Sequence, residues 1–246
     1  MDSISENFIY SQNSINTYKS CPTKFKYKYI ENINWRNDDL ESREYYDSLI
    51  IGSEFHLICE RYFSNIPLGI DKSINKDYYN WLEKIKKLLP IEDSGNIYLP
   101  EYEVRLKIEN NIISAKYDLV VIKGNNIEIW DWKTENKKVD YKNFENRIQT
   151  KVYMYIAKEV IPKIHNIDCN FENLSMKYYQ PQHEDEPVTI RYNEDSHNFN
   201  KNIIKKYINF IKNNEYDIKN EQHCKYCEFN KLCNNQEVEY SILEEG

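Results

Sequence analysis

Long apolar runs are missing from this 246-residue sequence. The longest, such as Leu119 to Ile122, have only a few residues, whereas a membrane-spanning helix needs about 20 apolar residues. Basic residues are missing from Met1 to Tyr10, which holds two acidic residues, so this segment is unlike the positively charged start of a signal peptide. We therefore expect a protein that has no contact with membranes and a cytoplasmic location.

An excess of positive charge is absent as well, because 40 Asp and Glu face 33 Lys and Arg, for a net charge of -7. Affinity for nucleic acids depends on neutralising phosphates with basic side chains, so any such binding must use local patches. The run from Lys24 to Tyr29 interleaves lysines with aromatic residues. It suits either contact with a single strand or an amphipathic helix with a solvated lysine face. A second basic set comprises Lys137, Lys138, Lys142, Arg147 and Lys151.

Internal repeats and long low-complexity tracts are also lacking. Hydrophobic residues make up 40% of the chain, which is enough for a substantial core. We predict one domain over residues 1–246, with a helical N-terminal part at about 11–90 and a core at about 98–192. A C-terminal helix and a cysteine-containing segment follow at about 193–235.

Three strand patterns joined by turns occupy the centre of the chain. Glu101 to Ile108 alternates charged and apolar residues, as half-buried strands do. Turns at Asn110-Asn111 and at Gly124 to Asn126 separate it from strands over 112–122 and 127–133. The other predicted elements are helices over 11–30 (capped by Ser11 or Ser14 and interrupted at Pro22), 46–63, 78–89, 140–161 (ending at Pro162) and 193–213, and strands over 174–179 and 188–192. This order predicts an α/β fold with a central sheet.

Polar residues fall on neighbouring strands of this meander. Asp131 and Lys133 end the third strand and point to one face, because they are two residues apart, while Trp132 points to the opposite, apolar layer. A turn centred on Gly124-Asn125 places Asp118 opposite Asp131. Two such carboxylates repel each other unless a cation lies between them, and hard oxygen ligands suit Mg²⁺ or Mn²⁺. The alternative is that these are ordinary surface residues at strand ends, paired by charge.

The following helix adds residues that make the pattern resemble a known family. Gln149 and Tyr153 lie one helical turn apart on one face. The full set resembles the RecB-type branch of the PD-(D/E)XK nuclease superfamily: Asp118, then Asp131-x-Lys133, then Gln149-x-x-x-Tyr153.

The resemblance extends over most of the chain, from Ser11 to Cys233. The family carries a histidine on an early helix, and Gly52-x-x-x-His56 is similar to that motif. Ala115 departs from the pattern, since this branch often has glycine three residues before the aspartate. One extra methyl group affects the local geometry slightly and leaves the chemistry intact.

The resemblance implies a restriction-endonuclease-like fold, in which a central mixed sheet is flanked by helices. It implies as metal ligands Asp118, Asp131, His56 and the backbone carbonyl of Trp132. An imidazole ligand favours Mn²⁺ over Mg²⁺, although His56 taken alone fits a satisfied core histidine better than a metal ligand. Lys133 is implied as the catalytic lysine. Gln149 and Tyr153 are implied to position DNA or the active site, where the alternative is plain helix packing.

The cysteines are distributed unevenly, and four of them suggest a metal centre. Cys224-x₂-Cys227-x₅-Cys233 places three thiols close together near the C-terminus, and Cys21 offers a fourth. Four thiolates suit either tetrahedral zinc or a [4Fe–4S] cluster. The spacing resembles that of the iron–sulfur RecB-type nucleases, which include AddB-type repair nucleases and CRISPR-associated adaptation exonucleases. That likeness implies a [4Fe–4S] cluster, which joins the N- and C-terminal segments.

The sequence thus predicts a metal-dependent DNA nuclease, an exonuclease that acts on the ends of single-stranded DNA in repair or CRISPR adaptation. A helicase or a CRISPR integration complex is the partner that the resemblance suggests. Two other functions remain open at this point. One is a DNA-end-binding module without catalysis, and the other is a zinc-stabilised interaction domain.

Overall fold

The fold was analysed in a computed structural model, which describes residues 4–35, 40–69, 76–91, 95–135, 137–183, 186–213 and 216–236. Its helices are α1 (Gln12–Ser20), α2 (Pro22–Phe25), α3 (Leu40–Phe63), α4 (Lys76–Leu88), α5 (Tyr141–Glu145), α6 (Ile148–His165), α7 (Glu194–Lys212) and α8 (Asn230–Cys233). Its strands are β1 (Ile9–Ser11), β2 (Ile97–Ile108), β3 (Asn111–Lys123), β4 (Asn126–Trp132), β5 (Leu174–Tyr179) and β6 (Val188–Arg191). None of the described helices is long and apolar enough to cross a bilayer.

The six strands form one mixed sheet in the order β1-β3-β4-β5-β6, with β2 paired to β3. Strands β2, β3 and β4 are an antiparallel meander, as predicted. The turn between β3 and β4 has Gly124 at a φ of 58°, a conformation that glycine adopts without steric cost. Leu119 pairs with Trp130, so the predicted register of this hairpin is confirmed. β4 and β5 are parallel, and their connection contains α5 and α6.

Two apolar layers enclose the sheet. The larger core lies between one face and helices α1, α6 and α7, and it includes Ile15, Val152 and Ile204. The smaller core lies between the other face and helices α3 and α4, where Phe55 and Leu82 are fully buried. The sheet is therefore sandwiched between helices, and the ends of its central strands lie between the two layers.

Several local features depart from the sequence prediction. Strand β1, which pairs in parallel with β3, was not predicted, because three residues are too few to show a period. The helix predicted over 140–161 is two helices, separated at Arg147, which is extended with a ψ of 144°. The predicted end at Pro162 is wrong, since α6 includes Pro162 and ends at His165, where Asn166 caps it in a left-handed conformation.

The predicted start of the first helix is confirmed. Ser11 caps α1 through a reciprocal pair of hydrogen bonds with Ser14. The helix breaks at Cys21, and α2 starts at Pro22, which is favoured at a first helical position.

The N- and C-terminal segments contact each other through ordinary protein interactions. The Thr23 hydroxyl donates to the carbonyl oxygen of Tyr216 at 2.9 Å, and this bond is buried. Phe25 stacks on Tyr216 with ring centroids 5.8 Å apart. Lys24, in the basic run considered for DNA contact, pairs with Glu228 at 2.6 Å. Part of that run is therefore used in packing between the two segments. This favours the interpretation as an amphipathic helix over contact with single-stranded DNA.

Candidate active site

Side chains of β2 and β3 alternate between the two faces of the sheet, and this alternation shifts by one residue at Glu101 and Asp118. On β3, Tyr117 packs in the core beside α6, but Leu119 packs in the core beside α3. Glu101 lies across from Asp118, between two regular pairs of β2 and β3 residues, and has a φ of 48°. A left-handed glutamate within a strand is a strained conformation, and such strain concentrates at functional sites. The shift frees both carboxylates from the two cores.

Helix α3 brings His56 to this irregularity. Its Nδ1 lies 3.4 Å from Oδ1 of Asp118, and its Nε2 lies 3.1 Å from the carbonyl oxygen of Trp132. The other oxygen of Asp118 accepts the backbone N–H of Trp132 at 2.9 Å. With its proton on Nε2, the ring donates to Trp132 and turns the Nδ1 lone pair towards the carboxylate. Two such electron-rich atoms require a cation between them, either a proton or a metal ion.

The pKa of His56 reflects this neighbour. Burial by itself would lower the pKa of the ring, but the hydrogen bond and the negative charge of Asp118 outweigh burial and raise the pKa above its ordinary value. His56 is therefore held at the site by Asp118 and Trp132, and its role as a metal ligand stays a prediction.

Asp131 lies on the neighbouring strand in a buried network. Its side chain is 2% exposed, and burial raises its pKa to about 6, although the positive charge of Lys133 opposes this rise. Nζ of Lys133 lies 2.5 Å from Oδ2 of Asp131, and Nε2 of Gln149 donates to Oδ1 at 2.5 Å. The carboxylate of Asp131 raises the pKa of Lys133 despite the burial of the amine. Lys133 is thus an ammonium ion that offers positive charge.

Gln149 and Tyr153 lie together on the face of α6 that faces the site. Tyr153 is 7% exposed and packs edge-on against Tyr117, at 5.0 Å between ring centroids. Burial and the charges of Asp131 and Asp118 raise the pKa of its hydroxyl, while a hydrogen bond with Gln149 acts in the opposite direction. Gln149 therefore orients Asp131, and Tyr153 bonds Gln149. Their direct contact with DNA stays a prediction.

Glu101 is a candidate metal ligand that sequence reasoning missed. Donor atoms of His56, Glu101 and Asp118 all lie within 4.8 Å of one another. This mixture of one imidazole and two carboxylates fits Mn²⁺ or Mg²⁺. Asp131 does not belong to that group among the described residues, although its buried Oδ2 has no hydrogen bond of good geometry there. The cation that this oxygen faces is the ammonium of Lys133, at 2.5 Å.

The group opens into a cleft of about 1090 Å³. Its polar wall includes Lys116, Lys133 and Lys137, and its apolar wall includes Leu57 and Trp81. Gly52 also lines the cleft, where a side chain would meet the hydroxyl of Thr134 at 3.1 Å. The glycine of the Gly52-x-x-x-His56 motif thus lets α3 approach the end of β4, and that approach places His56.

The four clustered cysteines line a separate cavity of about 230 Å³: Cys21, Cys224, Cys227 and Cys233. No three of their sulfur atoms lie within 4.8 Å of one another in the described part of the chain. Thiolates around a single zinc ion lie about 3.8 Å apart, because each Zn–S bond is about 2.3 Å long. The thiols as placed are therefore more widely spread than one zinc ion requires. Cys59 and Cys169 are buried in the apolar cores instead.

Similarity to known proteins extends over most of the chain. The profile of the PD-(D/E)XK nuclease superfamily matches residues 9–234. Among solved structures, a protein of Eubacterium rectale described as a "Putative exonuclease" is 12% identical with a TM-score of 0.56, over 96% of this chain and 90% of that chain. The structure of SSO0001 is 14% identical with a TM-score of 0.42, over 95% and 89% of the two chains. No protein with a curated description matches.

Proposed function

Because this chain belongs to the PD-(D/E)XK nuclease superfamily, we propose that it is a metal-dependent deoxyribonuclease that removes nucleotides from single-stranded DNA ends. The predicted restriction-endonuclease-like fold is confirmed by the family match and by the mixed sheet between helices. The observation that carries the activity is the convergence of His56, Glu101 and Asp118 beside the paired Asp131 and Lys133. We propose further that residues 1–246 act as a single nuclease domain.

The metal ion would be held by His56, Glu101 and Asp118, with Asp131 and the carbonyl of Trp132 beside them. A divalent ion there supplies Lewis acidity towards a phosphoryl oxygen and towards water. Lys133 stabilises negative charge that develops on the phosphoryl group, because its ammonium is fixed before the substrate arrives. Gln149 holds Asp131 in place and thereby fixes the position of Lys133.

The lining of the cleft supports a preference for single strands. Leu49, Ile51 and Leu57 on α3 are 46%, 42% and 46% exposed, and all three line the cleft. Unpaired bases present apolar faces that such side chains can cover, whereas a duplex presents its charged backbone. The lysines of the opposite wall are suited to the phosphates.

The test is digestion of DNA labelled at one end, as single and double strands, in Mn²⁺, in Mg²⁺ and in EDTA. We expect shortening of single strands from an end in either metal and no reaction in EDTA. Cleavage of internal sites in circular single strands would contradict the exonuclease assignment. Binding of ends without any cleavage would instead identify a DNA-end-binding module.

Replacing His56 with alanine should raise the Mn²⁺ concentration needed for half-maximal cleavage by about tenfold. It should also reduce the preference for Mn²⁺ over Mg²⁺, since it removes the nitrogen ligand. The loss of metal affinity should be smaller than the loss caused by removing Asp118, because a neutral imidazole attracts a hard dication less than a carboxylate does. Metal titrations of the cleavage rate measure both effects.

The matched control for that experiment is His165→Ala. His165 bonds the Tyr102 hydroxyl at 3.2 Å and is not part of the cleft lining. An Mn²⁺ requirement that is unchanged in His56→Ala would show that His56 serves only in packing.

We propose in addition that the chain is of the RecB type and that Cys21, Cys224, Cys227 and Cys233 hold a [4Fe–4S] cluster. What supports the cluster is that these four cysteines line one cavity, together with the sequence resemblance. The helicase or CRISPR partner rests on the sequence resemblance alone.

Replacing Cys21 with serine should abolish the visible absorption and the iron content of anaerobically purified protein. The free energy of unfolding should fall by up to about 4–5 kcal/mol, the value for closing a loop of about 200 residues. Because protein contacts also join the two segments, we expect a folded variant. Cys59→Ser and Cys169→Ser are the controls and should retain full iron. A colourless wild type that contains one zinc ion per chain would overturn the cluster.

A further inference from the structure

A small cavity of about 150 Å³ lies on the far side of α6 from Asp131. It is formed by α5, α6, β6 and the first turns of α7, and its polar lining includes Asn146, Lys151, Arg191, Ser196 and Asn200. It shares no lining residue with the cleft or with the cysteine cavity.

Lys151 is the buried charge of this cavity. It is 8% exposed, and its amine donates to the carbonyl oxygens of Asn146 and Glu145 at 2.7 Å and 3.4 Å. Among the residues that the structure describes, no carboxylate lies within ion-pair distance of this amine. Burial lowers its pKa, and the positive charge of Lys19 lowers it further. The charge of Glu145, which also lines the cavity, acts on this pKa in the opposite direction. A buried cation whose hydrogen-bond partners are neutral is a site where an anion gains energy.

Phe199 provides an exposed aromatic ring beside this amine. The ring is 55% exposed, and Nζ of Lys151 lies 5.8 Å from its centroid. Arg191 is exposed at the end of β6 and adds positive charge to the rim. An aromatic ring next to two cations matches the way in which proteins hold an unpaired nucleotide, with the base stacked and the phosphate neutralised.

The position of the cavity relates it to the cleft. Gln149, which bonds Asp131, and Lys151 are two residues apart on α6 and therefore point to nearly opposite sides of the helix. Arg147 lies at the start of α6 and pairs with Glu135, which lines the cleft. A strand that leaves the cleft across this helix end would pass Arg147 on its way to Lys151.

We propose that Lys151, Arg191 and Phe199 form a second contact site for single-stranded DNA, in which the two cations bind a phosphodiester and Phe199 stacks on the neighbouring base. The site rests on the proposed function, because it holds the same strand several nucleotides from the bond that is cut. Because of this site, the protein binds long single strands more tightly than short oligonucleotides.

The test measures binding rather than cleavage. Fluorescent oligothymidylates of about 4 and about 16 nucleotides, the range of site sizes on single-strand binding surfaces, are titrated in EDTA and followed by anisotropy. Phe199→Ala should raise the Kd of the longer strand about tenfold and leave the shorter one within about twofold. Arg191→Gln should reduce the slope of log Kd against log salt by about 0.7, the value for one phosphate contact on a single strand. Lys151 is left intact, because it also holds the end of α5.

Matched controls come from the same helices. Phe210 is another exposed phenylalanine of α7 with a lysine over its ring, and Phe210→Ala should bind both strands like wild type. Lys163→Gln removes an exposed cation at the other end of α6 and should leave the salt slope unchanged.

The outcomes separate this site from the proposed activity. Wild-type binding by both variants, or an equal loss for short and long strands, would overturn the second site even when the protein cleaves DNA. Length-dependent losses in a protein that cleaves nothing would retain the site and overturn the nuclease. Failure of wild type to bind the longer strand would overturn the site.

Discussion

Lys133→Met is expected to lower the rate of DNA cleavage by about 10³-fold, the scale of removing one fixed charge donor from a transition state. The melting temperature should fall as well, because Asp131 loses the ammonium that neutralises it in a buried position. Its pKa is already raised to about 6 by burial, and Lys133 is the largest influence that lowers it. Single-turnover cleavage and thermal unfolding measure the two effects. The metal requirement should be nearly unchanged.

Lys163→Met is the control for this experiment, because Lys163 is an exposed lysine that does not line the cleft. Its cleavage rate should remain within about threefold of wild type, as expected for a surface charge. A Lys133→Met protein that cleaves at the wild-type rate would remove Lys133 from the chemistry and leave it as the counter-ion of Asp131.

Asp118→Asn is expected to abolish detectable cleavage and to weaken Mn²⁺ binding. The loss of affinity should exceed the roughly 10- to 100-fold cost of losing an outer partner of a metal ligand. Asparagine keeps an oxygen that accepts the N–H of Trp132, now 2.9 Å from Asp118. It removes the negative charge that faces His56 and Glu101, so the fold should persist while the metal is lost. Calorimetric titration with Mn²⁺ measures the affinity directly.

The control is Glu103→Gln, which removes an exposed carboxylate of β2 that pairs with Arg105. It changes the net charge by the same amount and should leave Mn²⁺ binding unchanged. Retained Mn²⁺ affinity in Asp118→Asn would place the ion elsewhere, with Asp131 as the next candidate.

The register of the β3–β4 hairpin could be predicted from the sequence, whereas that of the β2–β3 hairpin could not. Gly124-Asn125 marks the turn between β3 and β4 without ambiguity, so the approach of Asp118 to Asp131 followed from counting residues. The preceding turn was placed at Asn110-Asn111, but β2 and β3 turn at Glu109 and Asn110, with Glu109 at a φ of 55°. A glutamate in a left-handed turn carries little sequence signal. That single-residue error hid the position of Glu101 across from Asp118.

Other parts of the site depend on contacts between distant segments. The motif around His56 suggested a ligand, but the bond to Trp132 that sets its orientation comes from the packing of α3 on β4. The cavity around Lys151 brings together α6 and α7 with the end of β6. No local pattern signals it, because each of its residues alone is an ordinary surface or helix residue. The cysteine cavity was anticipated from spacing, and its occupant stays a prediction.

The contacts of Thr23 and Phe25 with Tyr216 have a consequence for biosynthesis. These partners are separated by most of the chain, so α2 cannot complete its packing until residue 216 has emerged from the ribosome. Until then the side of Phe25 that stacks on Tyr216 in the finished protein lacks that cover. Contacts of such long sequence separation slow folding and expose nascent chains to aggregation. We therefore expect chaperone dependence during translation to end only when the segment around Tyr216 packs against α2.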